Sequence, residues 1–355
     1  MIPYYLLYFF LAFKSIEETQ AFNTFRKETQ NLLIIFFSLL IGLRYEVGGD
    51  WDQYIIVFNK FRDGLTESWI GNWSKLEPAF YTLNTIFSKF EFGIYLVNIV
   101  CALIFSYCLI KFCASLPRPW LGLCVSFPYF IIVVAMGYTR QSVSIALFLL
   151  AFLVLEKGRF YKSIFYIILG MSFHRSGGFF FFAPLLYTFQ NARFNNFLRI
   201  LITIPLFYFF INEFIISRID VFLIGYLNTN YSSSGSLIRI ILCVIPSLIF
   251  IFNSNKFKIS EIAKKIFLVI SLMSILALFA LPFISSSTAI DRVALNFLPI
   301  QIFVASHLPD TGIFKFGKFA WKVLIVLSVF FVLSVWLIFS IHSFCWIPYR
   351  NIIFS

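Results

Sequence analysis

The sequence is poor in charged residues, which make up 12% of its 355 residues. Soluble globular domains carry about 25%. Hydrophobic residues make up 60%, and runs such as 94–110 and 265–284 contain stretches long enough to cross a bilayer, because ~20 apolar residues span a hydrocarbon core of ~30 Å. The scarcity of charge therefore excludes a soluble protein and indicates an integral membrane protein.

Acidic residues and histidines are also few: 16 Asp and Glu and 3 His stand against 28 Lys and Arg, a formal net charge of +12. A basic balance of this size can indicate nucleic acid as a partner. Here, however, the basic residues are scattered through short loops between apolar segments, and positive loops of this kind orient membrane proteins. We therefore expect no nucleic-acid partner.

Cysteine motifs are lacking. The six cysteines lie mostly inside apolar runs, and no two of them form a CxxC pair. This pattern indicates buried, unpaired thiols and argues against a metal site built on cysteine. Residues 1–13 show neither a basic head nor a small-residue cleavage site, so we interpret them as a short first span and not as a cleaved signal peptide.

Apolar runs separated by charged breaks predict twelve membrane segments, several of them too short to cross alone. The segments are residues 2–13, 32–43, 92–112, 120–137, 141–155, 161–173, 178–190, 197–211, 237–252, 266–284, 293–306 and 322–341. A further helix is predicted at 76–91, on or partly in the membrane. We therefore predict an all-α polytopic integral membrane protein with about 10–12 transmembrane helices, forming a single multi-span domain over residues 1–355.

The basic loops predict the orientation of these segments. One set of loops holds well over half of the 28 Lys and Arg residues: 14–31, 111–119, 156–162, 190–199, 253–265 and 307–322. By the positive-inside rule these loops are cytoplasmic. The opposite set of loops then faces outward, and with twelve segments both termini do so as well.

The predicted outer loop 44–78 begins with the densest group of polar residues, RYEVGGDWDQY (44–54). Paired glycines let the backbone turn sharply at φ values that other residues avoid. Asp50 and Tyr54 are four residues apart, so on a helix they share one face. Asp50 is interpreted either as the cap of a helix that runs through Asn59 or, with Arg44 and Asp52 beside it, as a site carboxylate.

Four further polar clusters fall on the same predicted outer side: Glu77-Pro78, Arg140-Gln141, His174-Arg175 and Asp291-Arg292. Each has a structural explanation, such as a helix-dipole pair, a snorkelling arginine or an interfacial ion pair. Ionisable groups at membrane depth are expensive, however, and usually mark a functional site. Their shared side therefore favours a site at the outer surface.

The clusters contain the residue types that bind and process a lipid diphosphate. Guanidinium groups bind phosphate through two parallel hydrogen bonds and keep their charge, which predicts convergence of four arginines on an anion. Carboxylates or a histidine could supply the base. The arginines are Arg44, Arg140, Arg175 and Arg292, and the candidate bases and their neighbours are Asp50, Asp52, Glu77 and His174.

The chain resembles the EpsG-like branch of the bacterial polysaccharide polymerases, relatives of the Wzy O-antigen polymerases. The resemblance covers most of the chain and is carried by RYEVGGDWDQY (44–54), LEPAFYTLN (76–84), GYTRQSVSIAL (137–147), MSFHRSG (171–177) and IDRVALNF (290–297). The residues that match the family pattern are Arg44, Gly48 or Gly49, Asp50, Tyr54, Glu77, Arg140, Gln141, His174 and Arg292; Asp52 and Arg175 stand at less typical positions.

The resemblance implies a membrane glycosyltransferase with a GT-C-like fold in the bacterial cytoplasmic membrane. Such enzymes join oligosaccharide repeat units carried on undecaprenyl diphosphate at the outer face of the membrane. The expected partners are the bilayer, a flippase and a chain-length regulator. It implies no nucleotide sugar, and we expect no cofactor, although Asp50 and Asp52 could bind Mg²⁺ beside a diphosphate.

The expected mechanism is inverting glycosyl transfer. A carboxylate, for which Asp50 is the first choice and Glu77 or His174 the alternatives, removes the proton from the acceptor hydroxyl. Arginines, Arg140 and Arg292 foremost, stabilise the charge that builds up on the leaving diphosphate.

Three other functions compete with this interpretation. A flippase for the same lipid-linked sugar would place charged residues through the middle of the membrane, whereas here they cluster at one predicted surface. An O-acyltransferase acting on surface glycans would use His174 as its base and would need a cytoplasmic path for an acyl donor. A ligase that moves finished glycan to another acceptor shares nearly the same chemistry.

Overall fold

The structure is a computed structural model that describes residues 1–18, 25–65, 77–189, 195–212, 235–283, 287–315 and 317–354. Across these ranges the regular structure is helical, without a β-strand, as the sequence predicts. The fifteen α-helices found there are α1 Ile2–Glu17, α2 Lys27–Gly42, α3 Trp51–Arg62, α4 Pro78–Phe87, α5 Gly93–Ser115, α6 Pro119–Ser126, α7 Thr139–Glu156, α8 Phe160–Phe173, α9 Phe182–Thr188, α10 Asn195–Ile211, α11 Ser236–Asn253, α12 Glu261–Ala280, α13 Ser287–Ala294, α14 Pro299–His307 and α15 Lys318–Phe339.

Several of these helices are long and apolar enough to cross a bilayer. Within the described residues, five helices meet that requirement by length and composition: α5, α7, α11, α12 and α15, with α11 and α12 each extended by a short turn. A sixth span results if Ser287–Phe297 and Pro299–Asp310, which meet at 42°, are counted as one. The remaining predicted segments contain shorter helices, and together they form an all-α polytopic membrane protein.

Two departures from regular α-helix occur in the middle of the chain. The predicted segments 161–173 and 178–190 contain separate helices, because α8 ends at Phe173 and a 3-10 turn, Arg175–Phe181, precedes α9. A π-helical stretch, Phe127–Ala135, continues α6 and is buried throughout. It contains Pro128, which has no N–H for a helical hydrogen bond.

By its internal contacts the chain divides into two compact units. Unit 1 consists of Met1–Leu150, Ile168–Gly177 and Lys322–Ser355, and unit 2 consists of Ala151–Ile167 and Gly178–Trp321. The candidate site residues from Arg44 to Arg175 belong to unit 1, and Asp291 and Arg292 belong to unit 2.

In unit 1, α2 packs along α5, and its last residue enables the closest approach. A Cβ atom on Gly42 would lie 2.7 Å from the Cα atom of Ile99, so any side chain at this position would separate the two helices. The tight contact fixes the point at which the chain leaves α2 and enters the loop that begins at Arg44.

In unit 2, α11 packs on α12 through a buried polar pair and on α14 through apolar side chains. The hydroxyls of Ser247 and Ser274 lie 2.7 Å apart, and such hydrogen bonds join helices in a bilayer, where water offers no alternative partner. The rings of Phe250 on α11 and Phe303 on α14 pack edge-on with centroids 6.1 Å apart. These contacts hold α11, from which Arg239 projects.

Candidate functional site

Glu77 is the centre of a cluster of ionised side chains in unit 1. It directly precedes α4 and is only 6% exposed. Its Oε2 atom accepts a hydrogen bond of 2.7 Å from Nη1 of Arg140, and its Oε1 atom lies 3.6 Å from Nε of Arg175. Three sequence motifs that lie far apart along the chain therefore meet at one buried carboxylate.

The arginines keep this carboxylate ionised. Burial acts to raise the pKa of Glu77, but the charge of Arg140, with contributions from His174 and Arg175, outweighs that effect and holds the pKa below its ordinary value. Opposite charges at this distance favour the charged form of an acid. Glu77 is thus a carboxylate at neutral pH, and its first effect is to orient two guanidinium groups.

Aromatic side chains fix the guanidinium of Arg140. It lies over the rings of Phe80 and Tyr54, 5.5 and 5.9 Å from their centroids, a geometry in which the ring face attracts a cation. The side chain remains 32% exposed, and that of Arg175 remains 27% exposed. Nε of Arg140 has no hydrogen-bond partner among the described residues. The pair of arginines is therefore oriented on one side by Glu77 while part of each remains accessible.

Asp50 lies at the start of α3, where the sequence predicts a helix cap. Its carbonyl oxygen accepts a 3.0 Å hydrogen bond from the Tyr54 N–H, but its carboxylate makes no capping bond to the helix. The half-buried side chain is close enough for its charge to act on the Tyr54 hydroxyl. Asp52 is exposed, and its charge acts on Cys345, so the two carboxylates face different neighbours.

The turn before Asp50 requires glycine at one position. Gly48 has φ +114°, and a Cβ atom there would lie 2.2 Å from the carbonyl oxygen of Met136. Its N–H donates a 2.8 Å hydrogen bond to the carbonyl oxygen of Cys345. The sharp turn expected from the paired glycines is therefore present, and it presses the Asp50 loop against the residues that lead into α7.

Arg44 belongs to the framework of the site and not to its surface. The side chain is fully buried. Its guanidinium donates to the carbonyl oxygens of Ile41 and Val47, at 2.7 and 3.1 Å, and to Oγ1 of Thr139 at 2.8 Å. Burial lowers the pKa of Arg44 to about 10, which leaves it charged at neutral pH. The expected contact of Arg44 with a substrate anion thus gives way to a role in joining the loop to α7.

His174 follows α8 and offers one specific ring nitrogen. Its Nδ1 atom accepts a 3.3 Å hydrogen bond from the Ser176 N–H and lies 2.7 Å from the Ser176 hydroxyl. A nitrogen that accepts from an N–H carries no proton, so in the neutral ring the proton belongs on Nε2. His174 is therefore suited to donate a hydrogen bond from Nε2. Gln141 is buried within α7.

In unit 2, Asp291 pairs with an arginine that the sequence did not single out. Nε and Nη2 of Arg239 donate to Oδ1 and Oδ2 of Asp291 at 2.7 and 2.8 Å, and both side chains are largely buried. The only signal in the sequence was a basic residue inside the predicted segment 237–252. Arg292 is exposed on α13. Residues 66–76 of the predicted outer loop and residues 284–286 lie outside the described part of the chain.

A segment after α15, residues 343–352, also supports the Asp50 loop, and no pattern in the sequence indicated this. Besides the bond between Cys345 and Gly48, the Tyr45 N–H donates to the Arg350 carbonyl at 3.1 Å, and the Ile352 N–H donates to the Leu43 carbonyl at 3.0 Å. These are backbone contacts between residues some 300 positions apart in the chain, which is why no local pattern revealed them.

Comparison with known protein families gives a match over most of the chain. The model of the EpsG family matches residues 29–351, nearly the whole chain, and this range includes every candidate site residue. Neither the curated proteins nor the solved structures contain a match to the chain. Together with its apolar helices, the match makes this a membrane protein of polysaccharide synthesis, and the chain belongs to the EpsG family.

Proposed function

We propose that this protein is a polysaccharide polymerase, a glycosyltransferase that joins oligosaccharide repeat units carried on undecaprenyl diphosphate. The growing chain would be the donor and an incoming lipid-linked unit the acceptor, at the outer face of the bacterial cytoplasmic membrane. The observation that supports it best is the buried Glu77 carboxylate with Arg140 and Arg175 on its two oxygens, in a helical membrane protein of the EpsG family.

The two arginines suit a leaving diphosphate. Each guanidinium carries five N–H donors, and the described ion pairs to Glu77 engage one side of each group while 32% and 27% of the side chains remain exposed. Charge develops on the diphosphate as the glycosidic bond breaks, and donors that are already oriented stabilise it without rearranging. Nε2 of His174 would add a further hydrogen bond.

Asp50 is the proposed general base. Both oxygens of Glu77 are already paired with arginines, which makes that carboxylate a weaker candidate for taking a proton. Asp50 is half-buried at the start of α3, directly after the Gly48-Gly49 turn, and its charge reaches Tyr54. We therefore assign proton removal to Asp50, the orientation of arginines to Glu77, and substrate contacts to Tyr54 and Gln141. The mechanism calls for no metal ion.

Replacing the candidate base tests the assignment. In a strain of the host that lacks the gene, Asp50→Asn should restore no polymer and should leave single lipid-linked repeats to accumulate, because general base catalysis contributes ~10²–10⁴ to the rate. Asp52→Asn is the matched control: the residue is the neighbouring exposed carboxylate, and the variant should keep partial to full polymer length on a glycan gel.

The gel also separates the competing functions. Loss of the ladder with single repeats retained on the finished glycan supports a polymerase. Loss of all translocated repeats would indicate a flippase, complete polymer held on its lipid would indicate a ligase, and an unchanged ladder lacking acyl groups would indicate an O-acyltransferase. Each of the last three results would overturn the proposal.

The arginine contacts are tested by keeping the charge and removing the planar fork. Arg140→Lys cannot bind Glu77 and a diphosphate with parallel donors, so we expect most activity to be lost. Arg62→Lys is the control, since Arg62 is an exposed arginine on α3. A normal ladder from Arg140→Lys at normal protein levels would show that Arg140 does not bind the leaving group.

A further inference from the structure

Trp346 is a buried tryptophan in the segment that follows α15, and several contacts hold it in place. It is 3% exposed. Its indole N–H donates a 2.9 Å hydrogen bond to the carbonyl oxygen of Ile132 in the π-helical stretch, and its own carbonyl accepts a 2.9 Å bond from the Tyr4 hydroxyl. The ring also packs edge-on against Trp336, with centroids 5.2 Å apart. The position of this ring is therefore strongly determined.

One edge of the indole contacts two glycine segments at once: the turn that contains Gly49, and the end of the helical stretch before α7, which contains Gly137. A Cβ atom on Gly137 would lie 2.6 Å from Cζ2 and 3.3 Å from Cη2 of Trp346, and a Cβ atom on Gly49 would lie 3.3 Å from the same Cη2. Gly49 directly precedes Asp50, and Gly137 stands three residues before Arg140. The six-membered ring of Trp346 thus packs against both the turn that precedes Asp50 and the residues that lead into α7, which carries Arg140.

We infer that Trp346 is a positioning residue that holds Asp50 and Arg140 in their relative positions. The inference rests on the proposed function, in which these residues are the base and a ligand of the leaving diphosphate. The neighbouring residue strengthens the arrangement, because the Cys345 carbonyl accepts the Gly48 N–H at 2.8 Å. Trp346 acts through the two glycine segments and does not itself contact substrate.

The first test is Trp346→Phe, with Trp321→Phe as the matched control. Trp321 is a tryptophan of similar burial, 5% exposed, whose indole N–H donates to the Ile313 carbonyl at 3.2 Å in unit 2. Membranes containing each variant receive the lipid-linked repeats extracted from the gene-deletion strain. A displacement of ~1 Å can cost up to ~10² in rate, so we expect kcat to fall about tenfold or more for Trp346→Phe with KM little changed, and kcat to be retained for Trp321→Phe. Equal losses in both variants, or a change in KM alone, would overturn the inference.

The second test uses the close contact at Gly137. Gly137→Ala should abolish most activity, because its methyl group would overlap the indole ring. Phenylalanine lacks the part of the indole that reaches Gly137, so the double variant Gly137→Ala, Trp346→Phe should recover activity beyond that of Gly137→Ala alone. A double variant with no more activity than Gly137→Ala would show that the contact with Trp346 does not position the segment around Gly137.

Amide hydrogen exchange separates this inference from the proposed function. In purified protein, Trp346→Phe should speed exchange at the amides of Gly48, Tyr54 and Ser142, which lie in or beside the two glycine segments. Trp321→Phe should not change exchange at these amides. Faster exchange together with a wild-type protein that makes no polymer would leave the positioning role standing and reject the polymerase. Unchanged exchange and unchanged kcat, with a wild type that does polymerise, would reject the positioning role alone.

Discussion

Glu77→Gln tests whether the central carboxylate orients the arginines or removes the proton. Glutamine keeps the shape of the side chain and one carbonyl acceptor, but it has no charge to offer Arg140 at 2.7 Å or Arg175 at 3.6 Å. Two guanidinium groups would then face each other without an anion between them. We expect both to lose their fixed orientation.

The expected loss can be estimated from burial. Removing one partner of a fully buried ion pair costs ~3–5 kcal/mol, because the remaining charge is left unpaired. Here the arginine side chains are 32% and 27% exposed, so water compensates part of the loss. We therefore expect ~1.5–3 kcal/mol, the range for a hydrogen bond to a charged group. If the transition state loses this much stabilisation, the rate falls about ten- to a hundredfold.

The pH dependence of stability follows from the sign of the shift. The pKa of Glu77 is lower in the folded protein than its ordinary value of 4.5. The stabilisation is therefore fully present above pH 4.5 and is lost as the pH falls through the lower folded value. The difference in unfolding temperature between wild type and Glu77→Gln should thus stay constant from about pH 8 to about pH 5 and shrink only in stronger acid.

The assay is the rate of polymer formation across pH in membranes that contain equal amounts of each variant. A positioning role predicts a lower rate with an unchanged pH profile, and partial activity for Glu77→Asp, which keeps the charge on a shorter side chain. A loss near ~10⁴, with the acidic limb of the profile gone, would identify Glu77 as the base and refute our assignment. A wild-type rate for Glu77→Gln would remove the cluster from the mechanism.

Three further predictions concern the fold and its orientation. Gly48→Ala should destabilise the protein far more than Gly64→Ala, measured by thermal unfolding in detergent, because both glycines have positive φ but only Gly48 also meets a backbone oxygen. Burial raises the pKa of Glu18 from 4.5 to about 7. Protonation of Glu18 therefore stabilises the folded protein, an effect that is complete below pH 4.5 and is lost as the pH rises through about 7. Wild type should lose at most ~3 kcal/mol of stability between about pH 5 and about pH 8, and Glu18→Gln should lose less. In a background without the six native cysteines, a cysteine at Gln53 should react with an impermeant thiol reagent in intact cells and one at Lys258 should not, and the reverse pattern would invert the proposed orientation.

The helices of this protein follow closely from its apolar runs. The predicted segment 92–112 corresponds to α5, Gly93–Ser115, and the predicted segment 237–252 corresponds to α11, Ser236–Asn253. A run of apolar residues in a bilayer must satisfy its backbone groups internally, and a helix does so within one segment. Some helices extend beyond the apolar run, as α2 does in starting at Lys27, because polar residues at the membrane surface continue a helix without cost.

The candidate site was only partly predictable. Ionisable residues beside apolar runs pointed to Glu77, Arg140 and Arg175, which the structure brings together. The same reasoning treated Arg44 as an equal of the other arginines, although its guanidinium is buried on backbone carbonyls. It overlooked Arg239, the partner of Asp291, because a single basic residue at the start of a span is common.

The sequence by itself determined that this protein lies in a membrane, that its segments are helical, and which residue types are available for chemistry. Hydropathy and local hydrogen bonding depend on neighbours along the chain. Only the tertiary structure decided which arginine faces a carboxylate and which supports a loop, and it brought Trp346 against Gly49 and Gly137. The physical reason is that the role of a charge depends on its partners and its burial. Those are fixed by contacts between distant segments, which no local pattern in the sequence records.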